Sequence, residues 1–331
     1  MKIPNLHGVF VTTLAILSFT LGGAATARAA GTPTVSEFLN AINCVYLINT
    51  VPAGMTYFTN NGEPVTLVDE ANGAVSYVYV TAEHQVVIAF QGTTGGLNFL
   101  WDPIGGAMQL FTDVKIVLND DDNGTQPSVF GTSLNFAWQV IALARAKGYG
   151  VSDIFVTGHS LGGAEAEYVA SQTGLSGIAF EPPGIVFQPA PGVTGANFVC
   201  TVTDGDPVPN FASDIHAEQP CAPPYVAGGG RAPHFGSMAF LGSTSDQTAL
   251  QNYALGLTWW GLELDPWPFV EMVAEFHLPG VQAHDLNVRL NPSNPIVDGI
   301  GNMSGEVFDV GDLQIPAFKN EMQAVGRLIK G

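Results

Sequence analysis

The chain has 331 residues, enough for one large domain or two ordinary ones. Apolar residues make up 46% and charged residues 12%, a balance that buries enough surface to offset ordering entropy and excludes long disorder. With 10 basic against 29 acidic residues the formal net charge is −19, which excludes a general nucleic-acid binder and docking on anionic lipid through charge alone.

Residues 1–29 read as a secretory signal peptide. Lys2 precedes an apolar run from Val9 to Leu21, and Ala27-Arg28-Ala29 offers small residues at the positions a signal peptidase reads. The run is too short for a permanent membrane helix, and no later stretch is long and apolar enough for one. The expected location is therefore secreted or periplasmic, with residues 30–331 as a single domain. An oxidising compartment would let Cys200 and Cys221 pair. Cys44, in an apolar helix-like run, reads as a buried thiol.

In chain order, residues 34–50 predict an amphipathic helix. Val75–Val80 alternates and is rich in β-branched and aromatic side chains, so it predicts a strand. Val86–Phe90 is a continuous apolar run, the pattern of a strand buried on both faces. Residues 132–147 carry helical spacing at Leu134, Ala137, Trp138, Ile141, Leu143 and Ala144. Ile154–Thr157 predicts a short buried strand, Ala164–Ser171 a helix, and Ile178–Phe180 and Phe198–Val202 two further strands. Strands alternating with helices give an α/β fold with a mostly parallel central sheet and helices on both faces. Two segments interrupt the rhythm, a Gly-rich apolar one with a candidate lid at 94–118 and a Trp-rich insertion at 243–283 that holds Trp259, Trp260 and Trp267. Loops this long are often lids. Asp120, Asp121 and Asp122 close the first of them; adjacent acids do not readily converge on one centre, so they read as a solvated loop.

The most specific motif is Gly158-His159-Ser160-Leu161-Gly162-Gly163, with a strand before it and a helix after it. That is the context of a nucleophile elbow, a tight strand-to-helix turn that exposes a serine hydroxyl at the carboxyl end of a sheet. Gly158 and Gly162 permit the close crossing, and the Leu161 amide points where an oxyanion would form. His159 is expected to point away from the serine and pack locally. A serine hydroxyl needs a base, and that base needs an orienting acid. Asp204, Asp206 and Asp214 follow the strand at 198–202, and Asp206, just past the strand end, fits best. Of the histidines that follow, His284 opens Ala283-His284-Asp285-Leu286-Asn287, a helix-start pattern after a loop, and is preferred over His277 and His234. The turn after Val86–Phe90, Gln91-Gly92-Thr93-Thr94-Gly95-Gly96, is a candidate for a second oxyanion donor through Thr93.

Four motifs in order resemble the class 3 lipase family of α/β-hydrolases: Val87–Thr93, Gly158–Gly163, Asp206-Pro207-Val208-Pro209 and His284-Asp285-Leu286-Asn287. The resemblance spans about residues 35–290. It implies the α/β-hydrolase fold, a triad of Ser160, Asp206 and His284, oxyanion amides from Thr93 and Leu161, and a lid just after Thr93. Gln91 stands where the family commonly has Arg, and Val288 where it often has Tyr. The implied activity is a secreted lipase cleaving long-chain acylglycerols through an acyl-enzyme, with no metal or organic cofactor and with a lipid or ester substrate as partner. A phospholipase A1, a short-chain esterase or a polyester depolymerase would carry the same triad. A non-catalytic lipid-binding protein on a hydrolase scaffold is the alternative from another class.

Overall fold

The computed structural model describes residues 31–47, 49–92, 128–185, 187–212, 232–243, 245–246, 250, 267–293 and 305–330. The signal segment, Thr93, the candidate lid, the acidic loop at 120–122, Asp214, Cys221, Trp259 and Trp260 lie outside the described residues.

Helix α1 (Val35–Val45) begins where Thr34 and Glu37 cap one another. Thr34 Oγ1 accepts from the Glu37 amide at 3.1 Å, and Glu37 Oε2 accepts from the Thr34 amide at 2.7 Å. Six strands follow: β1 (Thr56–Tyr57), β2 (Thr59–Asn60), β3 (Glu63–Pro64), β4 (Thr66–Asp69), β5 (Ala74–Val80) and β6 (Val86–Phe90). Then come α2 (Ser128–Ala146), β7 (Ile154–His159), α3 (Leu161–Thr173), β8 (Ser176–Phe180), β9 (Phe198–Thr203) and β10 (Ser237–Leu241). The chain continues through α4 (Trp267–Met272), a π-turn at Val273–His277, α5 (Pro279–Asp285), α6 (Ile315–Ala324) and β11 (Leu328–Lys330).

Among the described residues nine strands form one mixed sheet in the order β1-β5-β6-β7-β8-β9-β10-β11, with β4 also pairing β5; β2 and β3 form a separate pair. The five central strands, β6 to β10, run parallel, and β5 and β11 close their two sides antiparallel. The fold is α/β.

Strand alternation sorts the core into two layers. Val86, Ile88 and Phe90 of β6, Ile154 and Val156 of β7, and Phe198 and Cys200 of β9 face one way, against α2 and α3. Val87, Ala89, Phe155, Ile178, Phe180 and Val199 face the other way, against α1, α5 and α6. This explains why β6 reads as an unbroken apolar run: all five of its residues are buried, on alternating sides. Removing one of these large side chains, such as Phe155→Ala, would cost about 3–5 kcal/mol.

Two sequence expectations change. The helix expected at 132–147 starts four residues earlier, because Val129, Phe130, Ser133, Phe136, Ala137, Val140, Ile141 and Ala144 form its buried stripe. Trp138 lies off that stripe and is 47% exposed. Cys200 is buried, its thiol donating to Glu167 Oε1 at 3.0 Å and to the Phe235 carbonyl at 3.3 Å, while its expected partner Cys221 lies outside the described residues. Cys44 is a buried thiol, and burial pushes it up to about 11.

The segment from 305 onward is part of the sheet. β11 pairs β10, and Arg327, just before it, donates to the carbonyls of Phe240 (3.1 Å), Leu241 (2.8 Å) and Gly242 (3.1 Å). The same guanidinium pairs with Asp204 Oδ2 at 2.7 Å, at the end of β9.

Candidate active site

The carboxyl ends of parallel strands gather chemistry-bearing residues at one edge of the sheet: Gln91 and Gly92 after β6, Ser160 after β7, Glu181 after β8, and Asp204 and Asp206 after β9. In open α/β sheets this edge is where ligands bind.

Ser160 sits at the β7–α3 junction with φ 58° and ψ −126°, a region that a non-glycine residue occupies only when its surroundings hold it there. Its amide donates to the Phe180 carbonyl of β8 at 2.9 Å. Close packing around the turn explains the two flanking glycines. A Cβ on Gly158 would lie 1.9 Å from the Gly162 carbonyl oxygen, and one on Gly162 would lie 2.5 Å from that of Phe90. Leu161 opens α3, so its amide has no partner within the helix.

Asp206 is fully buried. Its Oδ1 accepts from the Val208 amide at 2.9 Å, and its Oδ2 lies 2.7 Å from Nδ1 of His277. The structure thus pairs the acid with His277, not with His284 as expected. His284 lies in the last turn of α5, its side chain 34% exposed, with Nδ1 3.1 Å from Asp285 Oδ1. The sequence held the reason. Pro279 takes the first position of α5, where its missing N–H costs nothing, so the helix starts at 279 and not near 284. His277 therefore falls at the junction between the π-turn and α5, and π-turns are frequent at functional sites. His234, the other candidate, holds the Pro182 carbonyl through Nε2 at 3.1 Å.

With Nδ1–H donating to the Asp206 carboxylate, His277 Nε2 carries a lone pair. Nε2 of His277 and Oγ of Ser160 are both buried, and both lack a hydrogen-bond partner among the described residues. The His277 ring lies 4.7 Å, centroid to centroid, from that of His159, the chain neighbour of Ser160. A buried imidazole lone pair and a buried serine hydroxyl, each left without another partner, are what general-base activation of a serine requires, and such bonds tighten on substrate binding.

His159 does more than pack locally. Its Nε2 lies 2.7 Å from the His277 carbonyl, which only accepts, so Nε2 carries the hydrogen. Nδ1 then accepts from the Tyr46 hydroxyl at 2.9 Å, and the Tyr46 oxygen accepts from the Gly92 amide at 3.1 Å. One chain of hydrogen bonds ties the turn after β6, helix α1, the elbow and the backbone of His277 together.

Burial dominates the site's ionisation. It pushes the His277 imidazole down to about 3 and His159 well below the ordinary histidine range, the latter helped by its neighbour His277. Burial raises Asp206, opposed by the Val208 amide and by a hydrogen bond from Glu181. Glu165, one turn into α3, accepts from Ser133 Oγ, and burial lifts it to about 8.

No known family model and no curated protein sequence matches the chain. Among solved structures it is similar to the extracellular lipase LipA from Serratia marcescens, at 20% identity and a TM-score of 0.28. The alignment covers 47% of this chain and 28% of that one, so the chain spans little more than a quarter of that lipase. The site geometry is independent of this likeness. Among the described residues no helix is long and apolar enough to cross a membrane.

Proposed function

We propose that residues 30–331 form a serine carboxylic-ester hydrolase of the α/β-hydrolase type, resembling the class 3 lipases, sent to a secreted or periplasmic location by the segment 1–29. Its proposed substrates are long-chain acylglycerols. The observation that carries the reading is the Asp206–His277 pair at 2.7 Å, whose remaining imidazole nitrogen is open, at the same sheet edge as a serine held at positive φ on the β7–α3 turn.

In this reading Ser160 Oγ attacks the ester carbonyl while His277 Nε2 takes its proton. Asp206 holds the Nδ1–H tautomer and stabilises the imidazolium as it forms. The Leu161 amide, aided by the start of α3, and the Thr93 amide, one residue past Gly92, stabilise the tetrahedral oxyanion; each such donor is worth about 100–1000-fold in rate. His277 then protonates the leaving alcohol, and water attacks the acyl-enzyme by the same route.

The test is hydrolysis of p-nitrophenyl esters from acetyl to palmitoyl, below and above their aggregation points, by the parent and by Ser160→Ala. Activity that depends on Ser160 and rises on long, aggregated esters supports a lipase. Activity confined to short soluble esters keeps the triad and makes the protein an esterase. Equal activity in Ser160→Ala overturns the reading.

A further inference from the structure

A cavity of about 510 Å³ lies between helix α2 and the β2–β3 hairpin with the strand that follows it. That is the size of a small-ligand site, for which about 300–1,000 Å³ is usual. Ser160, Asp206 and His277 do not line it. One wall is a single face of α2, where Thr132, Asn135, Phe136, Gln139 and Leu143 recur at helical spacing. The other is the hairpin, whose closing pair Asn60 and Glu63 stand opposite one another and so present their side chains on one side. Asn61 and Gly62 between them both have positive φ, 52° and 90°, as in the two-residue turn that matches strand twist. Phe58, just before the hairpin, is buried in the same core layer as the apolar stripe of α2, which anchors this wall.

Phe136 is buried and, with the half-buried Leu67 and Leu143, gives the cavity an apolar base. Asn60, Glu63, Asn135 and Gln139 are exposed, and their side chains make no hydrogen bond to other described residues. Thr132 Oγ1 accepts from Asn72 Nδ2 at 2.8 Å, which leaves its own hydrogen to donate. Among the described residues no Lys, Arg or His lines the cavity, and Glu63 is its one charged group.

These groups select a ligand chemistry. An anion would meet a carboxylate and no counter-charge. An acyl chain would cover the amides without pairing them, which costs free energy. A calcium or magnesium ion would find a single carboxylate, too few for a hard-cation site. A neutral sugar satisfies every group: its hydroxyls donate and accept, as side-chain amides do, and the C–H face of its ring suits an apolar base. We propose that this cavity binds a neutral pyranose saccharide, free or as the headgroup of a lipid. Its role is attachment, holding the protein to sugar-bearing material through a site that shares no residue with the proposed triad. The inference therefore stands apart from the hydrolase reading.

Saturation-transfer NMR of the full chain with lactose, maltose, cellobiose and diacetylchitobiose tests the site. Binding of at least one is expected. Asn135→Ala combined with Gln139→Ala is expected to weaken it by about 10-fold or more, because two hydrogen-bonding groups are lost. Both positions are exposed on a helix, where alanine is favourable, so folding is retained. Hydrolysis of a soluble ester is expected to be equal in the parent and the double variant, which keeps this outcome separate from that of Ser160→Ala. Phosphatidylcholine vesicles with and without digalactosyl diacylglycerol, mixed with Ser160→Ala protein, distinguish the two sources. Binding that needs the galactolipid and is displaced by lactose supports a lipid headgroup, and binding of the disaccharides alone supports a free glycan. Failure of all four disaccharides and the galactolipid to bind overturns the proposal, as does binding that the double variant leaves unchanged.

Discussion

The hydroxyl of Tyr46 lies 2.9 Å from Nδ1 of His159, the residue that precedes Ser160, although 113 positions separate the two in the chain. Tyr46→Phe keeps the ring and removes the oxygen. It leaves the Gly92 amide and His159 Nδ1 buried and unpaired, at about 1–3 kcal/mol for each orphaned group. Urea unfolding is expected to show that loss. A fall in kcat of about 10-fold is expected beside it, through the turn that leads to Thr93. Unchanged values in both experiments would show that the hydrogen-bond chain has no role.

His277 and His284 can be told apart directly. His277→Ala is expected to lower kcat by at least about 10⁴-fold, as loss of a triad base does. His284→Ala, at a partly exposed side chain beside Asp285, is expected to stay within about threefold. Steady-state kinetics on one soluble ester decides it, and the reverse pattern would restore His284 as base.

Arg327 neutralises an aspartate with no exposure. Arg327→Met leaves Asp204 buried without its guanidinium, and breaking a buried pair in this way costs about 3–5 kcal/mol. Adding Asp204→Asn should recover part of that loss, with the three carbonyls that Arg327 serves accounting for the remainder. Urea midpoints of the two single variants and the double variant form the cycle, and simple additivity would argue against the pairing.

Stability should depend on pH at both ends. Between about 6.5 and about 3 the unfolded chain binds a proton on His277 that the native site refuses. The stability this histidine supports is present above 6.5 and is lost as pH falls toward 3. Glu165 works in the opposite sense. Its native carboxyl, raised to about 8, keeps a proton that the unfolded chain releases near 4.5, so its contribution is lost as pH rises through that window. Urea midpoints are expected to rise from about pH 3 to 4.5, stay level to about 6.5 where the two contributions offset, and fall toward about pH 8. His277→Gln flattens the acid side and Glu165→Gln the alkaline side. If His277→Gln leaves the acid slope unchanged, the burial argument for that residue fails.

The parallel centre of the sheet was legible because strands buried on both faces write themselves as apolar runs, as in Val86–Phe90 and Ile154–His159. The elbow was legible because a tight crossing demands glycine at two fixed positions, 158 and 162. Two-residue strands such as β1 carry too little pattern to see, and β11 is a short strand that owes its place to pairing with β10. The histidine assignment went to His284 because a local motif outweighed the helix-start signal of Pro279. Tyr46 carried no local signature at all. Its place in the site arises from a contact with a residue 113 positions away.

Arg327 and Asp204 stand 123 positions apart, with the serine, the acid and His277 all made before the arginine. A ribosome synthesising this protein therefore delivers every group of the proposed triad while the turn that carries the acid still lacks the Arg327 guanidinium. That guanidinium reaches Asp204 only when residue 327 has left the exit tunnel and β11 has docked on β10. A nascent chain stalled before that point would have all three groups but an unbraced acid turn. Completion of the acid turn would then lag behind synthesis of all three groups of the proposed triad.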